Sequence, residues 1–360
     1  MRIAGIIIGF IIFLLVLAGY ACWHLWRIAP QGWKLTVVIL FVLWMASFFL
    51  SFAYADRLPL NTATFLYEVG NTWLIAFMYL LIVFFLADVA SLCHILPKAF
   101  LKSNTAGLFS VLGIVALILV SGGIHYHHKY REEMTLTTTK PLDKPLTIVL
   151  ASDLHIGYHN RKAELGRWVD MINAEKPDLV LLAGDIVDRS LRPILEGNYA
   201  EEFRRLDAPV WTVLGNHEYF SDINGVEQFL GDAGIRLLKD STAHLWGLDI
   251  IGRNDRSYPC RAALCDLAEG CDGFTIVLDH QPSHLEEAEE AGIDFQFSGH
   301  THRGQVWPIS WVTDLIYEKS WGRYQKGGTE YYISSGLGIW GAKIRVGSRS
   351  EYLVLHLRHL

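Results

Sequence analysis

Charge is scarce at the start of this chain. Residues 1–124 of the 360 hold six Lys/Arg and three acids. So long a stretch with so few charges does not suit the surface of a soluble domain. A basic face is missing too. After residue 124 there remain 31 − 6 = 25 bases and 37 − 3 = 34 acids, a net of −9. That balance argues against a nucleic-acid partner and suits a domain that binds cations. Cysteine is sparse, five in all. Cys260, Cys265 and Cys271 form a local trio, but no fourth ligand stands near them for a thiolate zinc site. One disulfide with one odd thiol is expected if the C-terminal part faces outward, and three small buried residues if it faces the cytosol.

Apolar runs are what the first third has in quantity. Four occur: Ile3–Cys22, Leu35–Ala55, Thr72–Leu96 and Gly107–Ile124. Each is about 18–25 residues, the length that crosses a hydrocarbon core of about 30 Å. Trp23, Trp26, Trp33 and Tyr126 flank them as an aromatic belt would. Four transmembrane helices are therefore expected over residues 1–126. The first is read as an uncleaved anchor rather than a signal peptide, because three more follow. Asp88 lies within the third run with no evident partner except His94, and a polar contact between helices is expected of it. The loops with Arg27, Lys34, Lys98 and Lys102 contain no acids and are expected on the cytoplasmic side. The chain is thus read as integral to a bacterial inner or cell membrane, with its large domain extracytoplasmic.

Residues 127–145, "HHKYREEMTLTTTKPLDKP", are polar, Thr-rich and closed by two prolines, and are expected as an extended linker. His125, His127 and His128 read as a solvated cluster rather than a metal site. From Leu146 to Leu360 strand-like runs alternate with amphipathic helices, which predicts a layered α/β domain. The strands read as near-continuous apolar runs, buried on both faces.

Chemistry gathers at the ends of five of these runs. "LASDLH" offers Asp153 and His155, "LAGDIVD" Asp185 and Asp188, and "LGNHE" Asn216, His217 and Glu218. "LDHQP" offers His280, and "SGHTH" His300 and His302. Ligands of open α/β folds collect at the carboxyl ends of strands. Glycines 184, 215 and 299 permit tight turns there. Imidazole with carboxylate and amide oxygen suits Mn, Fe or Zn rather than calcium. Ten such groups, of which seven would suffice, exceed one tetrahedral zinc and fit two divalent metal ions sharing a carboxylate, an arrangement used to hydrolyse phosphoryl esters.

The ordered set "DLH", "GDIVD", "GNHE", "H" and "GHTH" resembles the calcineurin-like metallophosphoesterase superfamily. "SDLHIG" and "SGHTHRGQV" are similar to its bacterial, membrane-associated branch. The resemblance implies an αββα four-layer sandwich over residues 146–360, beyond the four-helix transmembrane region. It implies one metal held by Asp153, His155, Asp185 and His302, and another by Asp185, Asn216, His280 and His300, with Asp185 shared. A water between the cations would lose its proton and attack phosphorus in line. His217 would face the phosphate as general acid, with Asn216 beside it. Asp188 is expected to orient a ligand histidine or to cap a helix. Arg303 is expected to touch substrate phosphate or to form a surface salt bridge. A membrane scaffold or sensor without turnover is the alternative, and the complete ligand set argues against it. The stretch Gln305–Tyr324, "QVWPISWVTDLIYEKSWGRY", is rich in aromatics with few charges. It is read either as a buried cover strand or as an interfacial loop that draws a lipid-linked phosphoester from the bilayer.

Overall fold

A computed structural model describes residues 2–360; for residues 2–8, 10 and 11 it describes the backbone only. The chain forms two units, residues 1–124 and 125–360.

The first unit is helical: α1 (Arg2–Ile28), α2 (Lys34–Tyr54), α3 (Leu60–Leu92) and the start of α4 (Thr105–His127). Prolines 30, 59 and 97 fall in the connections, where a missing N–H and a fixed φ cost nothing. Three helical stretches are long and apolar enough to cross a membrane: Gln31–Arg57, Leu60–Leu92 and Thr105–His127. The apolar stretch of the first helix, Ile12–Ile28, is shorter, and the expected span Ile3–Cys22 falls partly on residues described by backbone alone. Gly70 lets α2 and α3 approach closely, since a Cβ there would stand 2.6 Å from Phe48 Cα. Asp88 has partners that spacing did not suggest. The Tyr20 hydroxyl donates to it at 2.9 Å and His24 Nε2 lies 3.0 Å away, whereas His94 is not involved. These partners sit on α1, so the carboxylate joins α1 to α3, and only the packed helices bring them together.

The second unit contains β1 (Lys129–Thr138), β2 (Leu146–Ala151), β3 (Leu179–Ala183), β4 (Val210–Val213), β5 (Ile235–Leu237) and β6 (Ser241–Leu245). There follow β7 (Leu248–Gly252), β8 (Phe274–Leu278), β9 (Phe295–Ser298), β10 (Gly322–Lys326), β11 (Thr329–Ile333) and β12 (Ser350–His359). They pair into two six-stranded sheets of order β1-β12-β2-β3-β4-β5 and β10-β11-β9-β8-β7-β6. Both are mixed. β2 to β5 run parallel, as do β7, β8, β9 and β11, while β12 meets β2 antiparallel.

Alternation along each strand sends successive side chains to opposite faces. Ile148, Leu150, Leu181, Ile250, Ile276 and Phe297 are buried in one cluster drawn from both sheets. Val149 and Val180 turn the other way, toward Trp168 of α5 (Lys162–Ala174) and Phe229. Between them in sequence lie two short helices, α6 (Arg192–Glu196) and α7 (Ala200–Phe203), and then α8 (Asn216–Phe220) and α9 (Ile223–Asp232), which carries Phe229. On the second sheet, Val277 and Tyr331 pack with Leu264 of α10 (Leu264–Ala268) and with Ala288 of α11 (Glu286–Glu290). The result is the expected sandwich of helix, sheet, sheet and helix.

Two expectations need correction or choice. Residues 129–138, expected as linker, are an edge strand, because β1 pairs in parallel with β12 from Lys129 opposite Ser350 to Thr138 opposite His359. Met134 and Thr138 face inward on alternate positions, a strand period that the polar composition hid. The stretch 305–324 is not a buried strand. Its centre is α12 (Ile309–Ile316), with Trp311, Val312, Leu315 and Ile316 exposed. All five cysteines are free thiols.

Candidate metal centre

Asp153, Asp185, His280 and His300 each lie two residues beyond a strand end, after β2, β3, β8 and β9. Asn216 opens α8 just after β4. The chain must turn sharply at these points, and it does so through the left-handed region. Asp153, His155, Asp185, His300 and His302 have φ between 45° and 68°. Such backbone costs about 1–3 kcal/mol per residue and clusters where function requires it. Gly184 and Gly215 make room for the turns. Gly184 has φ +77°, and a Cβ on it would stand 2.6 Å from Gly215 N.

The seven expected ligands converge. His155 Nε2 lies 3.1 Å from His302 Nε2, with Asp153 Oδ1 3.8 Å from the first and 3.4 Å from the second. Asp185 Oδ2 lies 3.6 Å from His155 Nε2 and 3.1 Å from His280 Nε2. Asn216 Oδ1 lies 2.8 Å from His300 Nδ1 and 3.3 Å from His280 Nε2. Asp153, His155 and His302 form one cluster whose ligating atoms lie within 4.8 Å of one another, and Asp185, His280 and His300 form another. A third cluster adds His217 to His155 and Asp185. Its Nδ1, however, lies 2.6 Å from the Asp188 carbonyl, which only accepts, so Nδ1 carries a hydrogen and Nε2 alone remains free.

The donors fit divalent cations. Two ring nitrogens facing each other across 3.1 Å beside a carboxylate oxygen can share one proton or bind one cation. Burial holds His302 well below the ordinary imidazole value, and burial followed by the His280 charge takes His300 down to about 4. Both rings therefore keep a lone pair at neutral pH. Burial acts to raise the pKa of Asp185, yet His280 first among its neighbours holds it well down, so its charge is kept.

A family described as calcineurin-like phosphoesterase matches residues 146–304. An uncharacterized metallophosphoesterase of Campylobacter jejuni is 30% identical over 256 residues, which cover 68% of each chain. This chain belongs to the calcineurin-like metallophosphoesterase family. Another uncharacterized metallophosphoesterase, from Helicobacter pylori, is 33% identical over 227 residues, and the match spans 60% of either chain. A Danio rerio transmembrane protein with metallophosphoesterase domain is 30% identical over 227 residues, 57% of this chain and 52% of that one.

Around the candidate ligands lies a second set of contacts. Asp188 faces three rings, with Oδ1 3.5 Å from His155 Nδ1 and 3.4 Å from His217 Nδ1, and Oδ2 3.8 Å from His159 Nδ1. It orients histidines, as expected of an outer carboxylate. Arg303 is engaged by an aromatic ring rather than by a surface carboxylate. Its guanidinium stacks on Trp321, 4.1 Å from the ring centre. Two residues have roles that the sequence did not assign. Glu218 is buried and accepts the backbone N–H of Asp185 at 3.0 Å, Val187 at 2.9 Å and Gly215 at 2.7 Å. Its place at the third position of α8, where a Glu reaches back to the cap, is the available signal. Arg345 is fully buried and donates to the carbonyls of His302, Ser335, Gly336 and Gly338. It ties the "GHTH" turn to the loop after β11, and nothing local marks it.

Glu218→Ala would leave three buried N–H groups without an acceptor, at about 1–3 kcal/mol each. The variant is expected to lose several kcal/mol of stability and to bind less metal. Urea unfolding of the full chain in detergent, with metal content measured alongside, checks this. Unchanged stability would show that water replaces the carboxylate.

Proposed function

We propose that this chain is a membrane-anchored phosphoester hydrolase that uses two divalent metal ions. The observation that carries the reading is Asp185, whose one carboxylate oxygen faces His155 on one side and His280 on the other. Asp153, His155, Asp185 and His302 would hold one ion, and Asp185, Asn216, His280 and His300 the other, drawn from Mn, Fe or Zn. When bound, the ions would supply the positive charge that acidifies water and draws in phosphoryl oxygens. His217 supplies the proton for the leaving oxygen. Burial and His155 oppose its charge, but the Asp188 hydrogen bond and the Asp185 charge raise its pKa above the ordinary imidazole value. Bound cations would act in the opposite sense. Asp185→Asn is expected to abolish both metal content and hydrolysis. His217→Ala is expected to keep the metals and lose about 10²–10⁴ in rate. Metal analysis with rates on a generic diester decides it, and full activity of Asp185→Asn would remove the two-metal reading.

The substrate is a lipid-linked phosphoester or pyrophosphate, reached from the bilayer surface. Support comes from α12, which follows the last ligand, His302, by a few residues. Trp311, Leu315 and Ile316 are 61%, 86% and 66% exposed, while Ser310 is buried. Apolar side chains held out from an ordered helix suit the headgroup boundary, where each is worth about 1.5–3 kcal/mol when buried. Tyr317, at the end of that helix, stands edge-on to His300 with ring centres 6.2 Å apart. Long-chain substrates should therefore outrun short-chain analogues. Changing Trp311 and Leu315 to Ser should raise KM for the former by about tenfold and leave the latter alone. Equal effects on both would exclude a lipid role for the helix.

The acid-free loops with Arg27, Lys34, Lys98 and Lys102 favour the cytoplasmic side for those loops. The catalytic unit is then extracytoplasmic in a bacterial cell membrane. A periplasmic-type reporter fused after Leu360 should be active. Activity of a cytosolic reporter alone would reverse the placement.

A further inference from the structure

Beside the metal centre the second unit holds a cavity of about 510 Å³, lined among others by Arg253, Arg256, Tyr258, Arg261, Ser283 and Glu290. That volume is in the range of small-molecule sites, about 300–1,000 Å³. Two contacts connect it to the catalytic rim. Arg253 Nη1 lies 3.2 Å from the carboxylate of Asp279, which Arg261 also grips, and Asp279 directly precedes the ligand His280. Tyr258 stacks on Tyr219, ring centres 6.2 Å apart, and Tyr219 is on α8 with Asn216 and His217.

The charges of the cavity are unequally satisfied. Arg253 is spent on Asp279 and on Glu287 at 2.6 Å, and Arg261 on Asp279. Even so, Arg253 Nε and Arg261 Nη1 have no acceptor. Arg256 is exposed, and among the described residues no carboxylate pairs with it. A cavity with an unpaired guanidinium favours an anion, which such a fork binds in two-pronged fashion. Glu290, Ser283 and Tyr258 on the same lining accept or donate hydrogen bonds to hydroxyls.

We propose that this cavity binds a phosphate-bearing polyol group of the substrate. The cleaved bond would then lie between an apolar tail and an anionic, hydroxylated head. The assignment of that group to the substrate rests on the phosphoesterase reading; the presence of the anion site does not.

Ribose 5-phosphate serves as the probe, with free ribose and inorganic phosphate as its parts. Full-length protein in detergent, stripped with EDTA, is titrated calorimetrically. Ribose 5-phosphate should bind more tightly than either part. Arg256→Ala and Arg261→Ala should each weaken it about ten- to hundredfold, the loss expected for a hydrogen bond to a charged group. Arg256→Lys should recover part of it, and Asp185→Asn should bind as the parent does. Equal binding by parent and arginine variants, or none by the stripped parent, overturns the site. With metals restored, ribose 5-phosphate should inhibit hydrolysis of bis(p-nitrophenyl) phosphate competitively in the parent, with an inhibition constant about ten- to hundredfold weaker in Arg256→Ala. Inhibition of equal strength in both places the anion at the metals and overturns the proposal. A parent that hydrolyses nothing defeats the phosphoesterase reading alone, because the titration is read without metals.

Discussion

The structure of the second unit depends on keeping the Asp185 carboxylate ionised in the dry interior. An unpaired buried carboxylate would neutralise itself instead. Here one oxygen accepts the His217 backbone N–H at 2.9 Å, and the other faces two imidazoles. Each neighbour is fixed in turn. Glu218 takes the N–H of Asp185 itself, and Asp188 sets the rings of His155 and His217. The result is a nest of acids and imidazoles, buried except for the partly exposed His217, which metal charge would balance. The turns that deliver these groups are strained, and the apolar strands behind them hold the strain in place.

Those strands explain why so much of the site was legible in the sequence. An apolar run ending in a polar pair is a local pattern, and five such ends lie on a common rim once the sheets form. Asp153, His155, Asp185, Asn216, His280, His300 and His302 could all be named as candidate ligands because each stands two to four residues beyond its strand. The contacts behind the rim were not legible. Arg345 reaches carbonyls seven to forty-three residues away, in a Gly- and Ser-rich stretch that carries no period. Asp88 pairs with His24 and Tyr20 across 64 and 68 residues, so helix packing alone reveals it. The edge strand Lys129–Thr138 was misread because prolines and threonines signal a connector, while its partner lies at the far end of the chain.

The rim is unlike on its two sides. The segment after the last ligand carries an exposed apolar helix, and the segment before His280 is gripped by arginines that line a polar cavity. The same metal chemistry serves many esters, so discrimination must come from such surroundings. On the proposed reading, the apolar arm and the cationic recess would meet the two ends of one amphiphilic substrate.

The strand order has a further consequence for biosynthesis. β12 inserts between β1 and β2, so the two strands made first in this unit are not neighbours and each must pair with the last. During synthesis both therefore leave an open edge, the feature most prone to wrong pairing between chains. The loop held by Arg345 also emerges late. A nascent chain thus presents its early candidate ligands well before the "GHTH" turn is pinned, and the centre becomes complete only after the Arg345 loop has been made. The order of strands thus makes closure of the first sheet wait for its last strand.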